Sequence, residues 1–195
     1  MPTTNTEVVV QASVPQLSAL TTCIWMKVND NQIGTLVSYA VPGTDNEFLM
    51  YNTSGLYIFI KAANKKTNLN LNDGTWHHVC ATWSSTDGSW SLYNDGGRYD
   101  GGTGFKRGST ITASGSLVLG QEQDVVGGGY DHNQAFKGVI AFFNMWSKAL
   151  SAAEIFDVYT DCSIGGDVFR WRPASLDISG DATLTCVDVY GKMKI

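Results

Sequence analysis

The sequence predicts an all-β fold, an antiparallel β-sandwich with one short α-helix. Charged residues make up only 16% of the 195-residue chain, aromatic residues 11%, and glycine occurs 21 times. This composition is typical of strands joined by tight turns and not of a helical bundle. The length fits one domain with a single hydrophobic core.

Eight runs rich in Val, Ile, Tyr, Phe and Trp have the length of β-strands. In chain order they cover residues 23–28, 35–39, 48–51, 56–60, 77–83, 89–93, 116–119 and 138–143. Asp-Gly pairs at 73–74, 87–88 and 95–96 separate some of these runs, and such pairs tolerate the positive φ of tight turns. Strands joined by short turns predict an antiparallel sandwich.

One segment has the pattern of a helix. Ser151 and Glu154 are spaced as in a capping box, and the apolar residues Ile155, Phe156, Val158 and Tyr159 follow. We therefore expect one short helix to begin here and to pack on the surface of the sandwich.

Charge and hydropathy exclude two classes of partner. The chain has 13 basic and 18 acidic residues, for a net charge of −5, and no run of Lys or Arg that could follow a phosphate backbone, so no nucleic acid partner is expected. The longest apolar stretches, such as 139–143, fall far short of the roughly 20 residues that span a bilayer. No transmembrane segment is predicted.

The chain contains four cysteines, Cys23, Cys80, Cys162 and Cys186. None has the close spacing of a zinc or thioredoxin-like site, so two structural disulfides and an extracellular location are predicted, with four buried thiols as the alternative. Asn52 begins an Asn-Thr-Ser glycosylation acceptor, as in a secreted glycoprotein. The N-terminal residues do not resemble a signal peptide, so we expect an excised or mature segment of a longer protein, with an added initiator Met.

Acidic and amide residues concentrate in two places, at 45–47 and at 122–134. On an extended segment, Glu122 and Asp124 would point to the same side, about 7 Å apart. Glycines at 127–129 would allow the chain to curl back and bring Asp131 and Gln134 to the same point. Calcium takes six to eight oxygen ligands of these kinds and tolerates irregular loops, so a calcium site is predicted; solvated loop residues are the alternative.

Several stretches resemble the pentraxin family, which includes C-reactive protein, serum amyloid P component and the neuronal pentraxins. The signature region is similar at 119–124, 127–138 and 144–146, and the stretches 38–43, 45–47 and 73–83 are most similar to the neuronal branch. The resemblance covers about residues 8 to 190. It implies a lectin-like antiparallel jelly roll with one helix on a face, formed by residues 8–195 as a single domain after a tail at 1–7. It also implies the disulfides Cys23–Cys80 and Cys162–Cys186.

The resemblance further implies two calcium ions per chain. The first would be held by Asp45, Asn46, Glu122, Asp124 and the backbone carbonyl of Gln123, and the second would share Glu122 and Asp124 and add Asp131 and Gln134. In the family, open metal positions bind an anionic group, here a phosphomonoester, an acidic saccharide or a phospholipid headgroup, beside an aromatic residue that corresponds to Tyr51. Phe59 and Asn64 stand near the choline-contacting positions of C-reactive protein, so choline specificity is not implied. A cyclic homo-oligomer is expected, most commonly a pentamer.

Two other functions compete with calcium-dependent binding. Some lectin-type glycoside hydrolases carry a Glu-x-Asp-x-x-Glu strand, and residues 122–124 match its first half. The catalytic acid of that motif should follow Asp124, but the chain continues with Val125, Val126 and Gly127. The sequence therefore predicts that the protein is not an enzyme. The second alternative is a structural or adhesion module of a larger surface protein, in which calcium only rigidifies a loop.

Overall fold

Two antiparallel β-sheets pack face to face in this computed structural model, which describes residues 8–10, 12–28, 33–172, 175–178 and 183. The described residues form twelve strands and one helix. These are β1 (Val8–Val10), β2 (Ala19–Lys27), β3 (Thr35–Val41), β4 (Thr44–Tyr51), β5 (Tyr57–Ile60), β6 (Ala63–Lys66), β7 (His77–Ser84), β8 (Ser89–Asn94), β9 (Gly97–Gly102), β10 (Ser116–Leu119), β11 (Val139–Trp146), α1 (Ala152–Thr160) and β12 (Leu176–Ile178).

The first sheet has the strand order β12-β1-β10-β3-β4-β5-β6, and the second has the order β11-β2-β7-β8-β9. All pairs are antiparallel, and the core lies between the sheets because side chains alternate between the two faces of each strand. Tyr39 pairs with Phe48 and with Leu117, and all three are buried in this core. The predicted all-β sandwich of the jelly-roll type is confirmed.

The helix begins as predicted. The Ser151 hydroxyl accepts a hydrogen bond from the Glu154 backbone N–H, and the Glu154 carboxylate accepts one from the Ser151 N–H at 2.8 Å. Ile155 and Val158 then face the sheet, where they form a small cluster with Cys23 and Cys80. The helix therefore covers the outer face of the second sheet.

Four of the strands were not expected from the sequence. β6 has the sequence Ala-Asn-Lys-Lys and β9 is Gly-Arg-Tyr-Asp-Gly-Gly. Both are edge strands of their sheets, where polar and glycine residues replace the apolar alternation of a half-buried strand. β1 and β12 are three residues long, which is too short for a pattern to appear.

The outer face of the first sheet is also covered. Ser38 lies opposite both Leu49 and Val118, so these three side chains share the face that points away from the core. All three are nonetheless buried. The cover is the segment between β10 and β11, which contains most of the predicted metal ligands.

Candidate metal centre

The segment 120–136 is a loop whose two ends are fixed to the first sheet. The backbone reverses at Gly120, where φ is +81°. The Phe136 N–H donates to the Gly120 carbonyl at 2.8 Å, and the Thr35 N–H donates to the Gln134 carbonyl at 2.9 Å. Residues 121–124 consequently run back over the outer face of the sheet. They lie beside the sheet without being part of a strand.

Gln123 anchors this returning segment. Its side chain is fully buried, and its amide Nε2 donates to the carbonyls of Ser38 at 3.0 Å and Ser116 at 3.1 Å. Its Oε1 accepts from the Gly127 N–H at 2.8 Å. Since the side chain is committed to the protein, a metal could use only the backbone carbonyl of this residue, which is the group that the family resemblance implies.

The glycines after Asp124 shape a tight reversal. The N–H and carbonyl of Val125 bond to the carbonyl and N–H of Gly128 at 3.2 and 3.0 Å. Gly127 and Gly129 have φ of +72° and +73°, and a Cβ on Gly129 would lie 2.8 Å from the Asp124 Cβ. Residues with side chains rarely adopt this conformation, so glycine is required where the chain returns past Asp124.

The reversal brings Asp131 into the acidic cluster. Its carboxylate accepts hydrogen bonds of 2.9 Å from the backbone and side-chain N–H groups of Asn133, and its carbonyl accepts from the Gln134 N–H at 2.9 Å. His132 is exposed, with its ring nitrogen 3.5 Å from the same carboxylate. The backbone of Gln134 is thereby fixed on both sides, through Asp131 and Thr35.

Glu122 is the centre of the cluster. Its pKa is raised to about 7, mainly by burial and then by the negative charges of Asp124, Asp45 and Asp131, while a hydrogen bond from the Asn46 side chain acts in the opposite direction. The side chains of four other residues predicted to bind calcium therefore interact with that of Glu122. Asp45 and Asn46 reach the cluster from the β3–β4 hairpin, far away in the sequence.

Two oxygens of the cluster have no hydrogen-bond partner among the described residues: Glu122 Oε2 and Asn46 Oδ1, both inaccessible to solvent. Glu122 itself is only 3% exposed. A buried carboxylate oxygen without a donor is costly unless a cation neutralises it. The donor set of carboxylates, an amide oxygen and a backbone carbonyl is the kind that a hard cation such as calcium prefers.

The carboxylates of the acidic cluster lie farther apart than the ligands of a closed metal site. Across the described ranges, one trio of His, Cys or carboxylate side chains places its ligand atoms within 4.8 Å of one another: Cys23, His78 and Cys80. The two sulfurs of that trio form a disulfide, so it is not a metal site. A cation at the acidic cluster would need amide and carbonyl oxygens as well as carboxylates, as calcium does.

The residue beside Asn46 has a different partner. Glu47 is fully buried and bonds to the Lys61 ammonium at 2.9 Å and to the Thr112 N–H at 2.6 Å. Lys61 also donates to the carbonyl of Thr110 at 3.0 Å. This ion pair, which the sequence analysis did not identify, fixes the strand that carries Asp45 and Asn46.

Tyr51 lies at the end of β4, on the same outer face of the sheet. Its ring is half-buried and 6.2 Å from that of Tyr57, which is in turn 6.2 Å from Phe59. Lys66 Nζ lies 5.5 Å from the centroid of Tyr57. From the sequence, Tyr51 is predicted as a ligand contact and Phe59 is placed near the choline-contacting positions of C-reactive protein. The spacing of two residues between Tyr57 and Phe59 on one strand would also have indicated Tyr57.

Asn52 follows in a turn with φ of +67°. Its side-chain oxygen accepts from the backbone and hydroxyl of Ser54 at 3.1 and 2.7 Å. The acceptor triplet is therefore in a turn and not in a strand, with Asn52 half-buried and Ser54 exposed.

The disulfide predicted between Cys23 and Cys80 is confirmed; the two residues lie directly opposite each other on β2 and β7. Cys162 is half-buried just after the helix. Its predicted partner, Cys186, lies outside the described residues. The second pairing therefore stays a prediction.

The fold and this loop together define a lectin-like jelly-roll module with an acidic cluster on the outer face of its first sheet. A family model described as the Pentaxin family matches residues 2–186. The chain is 39% identical to human neuronal pentraxin-1 over 180 residues, which cover 89% of this chain and 41% of that protein. The chain therefore belongs to the pentraxin family.

Other relatives place the same domain in different contexts. The rat sushi, von Willebrand factor type A, EGF and pentraxin domain-containing protein 1 is 36% identical over 94% of this chain, which spans 5% of that protein. The native heptameric SAP-like pentraxin of Limulus polyphemus superposes with a TM-score of 0.83 at 26% identity, over 91% of this chain and 87% of that one. The full extracellular region of zebrafish Gpr126/Adgrg6 shares the fold, with a TM-score of 0.75 at 21% identity over 96% and 26% of the two chains. Within the described residues, no helix has the length and apolar character needed to cross a bilayer.

Proposed function

We propose that this chain is an extracellular, calcium-dependent binding module for anionic groups. The observation that carries the proposal is Glu122, a buried carboxylate with an unpartnered oxygen among three other acidic side chains. At neutral pH this arrangement is repulsive, and a divalent cation is the simplest compensation. Membership of the pentraxin family supports the same conclusion.

Two calcium ions are proposed, with the ligands that the sequence predicts. Asp45, Asn46, Glu122, Asp124 and the Gln123 carbonyl would hold the first ion. Glu122, Asp124, Asp131 and Gln134 would hold the second. Calcium would supply open coordination positions on the outer face of the first sheet, where oxygens of a phosphomonoester or an acidic saccharide complete its coordination. Tyr51 stands on this face and would contact the organic part of such a ligand.

The proposed role is binding without catalysis. Retaining hydrolysis needs a second carboxyl group about 5–5.5 Å from the first. Val125, Val126 and Gly127 follow Asp124 where that acid would stand. The next glutamate, Glu154, is committed to the helix cap and to Lys148, which it contacts at 2.6 Å.

We also propose secretion, N-glycosylation and assembly. The Cys23–Cys80 disulfide supports an oxidising compartment, and Asn52 would be modified there, which a mass decrease on N-glycosidase treatment would test. The Limulus relative is heptameric, and a cyclic homo-oligomer, with five subunits expected, is proposed here. Analytical ultracentrifugation would give the number of subunits.

A structural role in a longer surface protein is the second candidate. It is favoured by the similarity to a protein of which this chain spans only 5%. In that case calcium would stabilise the loop without any ligand being bound. A ligand-array screen that finds no calcium-dependent binding, together with calcium-dependent thermal stabilisation, would support this candidate over the first.

The test of the main proposal is retention on immobilised phosphomonoester and acidic saccharide. Retention should require calcium and be lost in excess chelator, and magnesium should replace calcium poorly because it demands octahedral geometry at shorter distances. Glu122→Gln should abolish retention. Asp157→Asn, which also replaces a carboxylate by an amide but at an exposed position of α1, is the matched control and should not change retention. Equal retention with chelator would refute the calcium-bridged mechanism.

A further inference from the structure

The tip of the loop exposes two neighbouring aliphatic side chains. Val125 is 59% exposed and Val126 is 45% exposed. The other large apolar side chains exposed in the described part of the chain are scattered singly, which is normal for a protein surface. β-branched residues are not the usual residues of a tight turn, and packing within the chain does not account for these two.

The tip is held in a fixed position. Reciprocal backbone bonds between Val125 and Gly128 close the turn, and the Gly127 N–H is bound to the buried side chain of Gln123. Gln123 is in turn bonded to the β-strands beneath it through Ser38 and Ser116. The two valines are therefore presented outward by a structured support, which lowers the entropy cost of placing them in a partner.

The surroundings of the tip are acidic. Asp124, which directly precedes Val125, is exposed, and Asp131 lies in the part of the loop that returns towards the sheet. Both interact electrostatically with Glu122 beneath them. Without a cation, this surface repels other anions. With bound calcium, the same surface attracts them.

We propose that Val125 and Val126 insert into the surface of a bilayer that contains anionic phospholipids, while calcium at the acidic cluster bridges to the lipid phosphates. The inference rests on the proposed calcium site, because only bound calcium makes the charge favourable. It goes beyond that site in adding an apolar contact, made by Val125 and Val126, that a soluble headgroup does not make.

A bilayer fits these observations better than a protein partner does. A stable protein interface buries about 800 Å² on each side and needs a complementary pocket. Two valine side chains supply only a small part of that area. Aliphatic side chains at a membrane surface need no matching pocket, and buried apolar area and electrostatic attraction to anionic lipids add to each other.

The test compares vesicles with a soluble headgroup. Flotation with vesicles of phosphatidylcholine and phosphatidylserine, in calcium, should recover the wild-type protein, whereas phosphatidylcholine vesicles or added chelator should not. The double variant Val125→Ser/Val126→Ser should bind these vesicles roughly tenfold more weakly, since two aliphatic contacts are lost. Its calcium affinity and its affinity for soluble phosphoserine, both measured by calorimetry, should equal those of wild type. Phe156→Ser is the matched control, because it removes a side chain that is 54% exposed on the helix, on the opposite side of the sandwich.

The outcomes separate the two proposals. If wild type binds no calcium, the proposed function fails. If wild type binds calcium and phosphoserine but the double variant binds vesicles equally well, the membrane inference alone is wrong. If the double variant changes the sedimentation coefficient and leaves vesicle binding unchanged, the tip contacts a second copy of the chain, and the bilayer is again refuted.

Discussion

Glu122→Gln should stabilise the calcium-free protein and destabilise the calcium-bound protein relative to wild type. In the folded chain the pKa of Glu122 is raised from 4.5 to about 7, so the folded state holds this proton more tightly than the unfolded state does. The contribution of Glu122 to the stability of the calcium-free wild type should therefore fall as the pH rises from about 4.5 through 7. Glutamine has nearly the same shape and no charge, so the variant should not show this fall.

The expected magnitude follows from the size of the pKa shift. At 1.36 kcal/mol per pKa unit, the shift corresponds to about 3 kcal/mol, and solvent near the more exposed Asp124 lowers this to about 2–3 kcal/mol. For a chain of this length, the calcium-free variant should melt about 5–10 °C above wild type at pH 8. Near pH 5 most of the difference should disappear, because Glu122 is then protonated in the folded state.

Increasing calcium concentration should first remove and then reverse the difference in stability between Glu122→Gln and wild type. Calcium at a hundred times its dissociation constant stabilises the wild type by about 2.7 kcal/mol, and by about 4.1 kcal/mol at a thousand times. The variant lacks a ligand that both proposed ions share and should gain little. The assay is thermal unfolding in metal-free buffer and in a calcium series, at pH 5 and pH 8, with Asp157→Asn as control. Parallel pH curves for wild type and Glu122→Gln would refute the reasoning.

Three further predictions concern the loop, the cysteines and the β7–β8 region. Limited chymotrypsin digestion should cut wild type within 125–134 mainly when calcium is chelated, because only the second ion should anchor the glycines at 127–129. Asp131→Asn should be cut there both with and without calcium. Equal cutting of wild type with and without calcium would contradict the two-ion arrangement. Peptide mapping without reduction should show Cys162 and Cys186 joined to each other. A reactive thiol at either cysteine would overturn that pairing. The hydrogen bond that the His77 ring donates to the Asp95 carboxylate is the largest cause of the raised pKa of His77. While Asp95 is ionised, stability from this pair is therefore present below the ordinary histidine pKa of 6.5 and is lost as the pH rises through the raised pKa. Asp95→Asn should lower the pKa of His77 in an NMR titration and cost about 1 kcal/mol at pH 6 but less at pH 9; an unchanged histidine pKa would exclude the contact.

Much of the fold could be predicted from the sequence because it depends on local patterns. The buried strands β2 and β7 each contain an apolar run, at 23–26 and 79–81, and the capping box fixes the start of α1. The edge strands β6 and β9 could not be predicted in this way. Their residues contact solvent, so the pairing of the backbone, and not a hydrophobic pattern, makes them strands.

The acidic cluster depends on contacts between distant parts of the chain. The sequence predicts that Glu122 and Asp124 would align by alternation if they lay on an extended segment. In the structure the chain reverses at Gly120, and the register of β10 with β3 brings the returning segment beside the hairpin of Asp45 and Asn46. No local pattern encodes that register, so only the resemblance to the pentraxins joined the two clusters. Composition alone left calcium and solvated loops as equal alternatives.

The burial of Gln123 explains how one loop can combine an acidic cluster, the proposed metal site, with an apolar surface. Its side chain connects the sheet, through Ser38 and Ser116, to the turn that carries Val125 and Val126. Its neighbours on both sides, Glu122 and Asp124, belong to the acidic cluster. A cation that draws these two carboxylates together therefore acts on residues directly bonded to the anchor of the turn. The proposed calcium binding and the presentation of the apolar tip should consequently be coupled through one buried amide. A change at Gln123 should impair both, whereas changes at the tip should leave the proposed metal site intact.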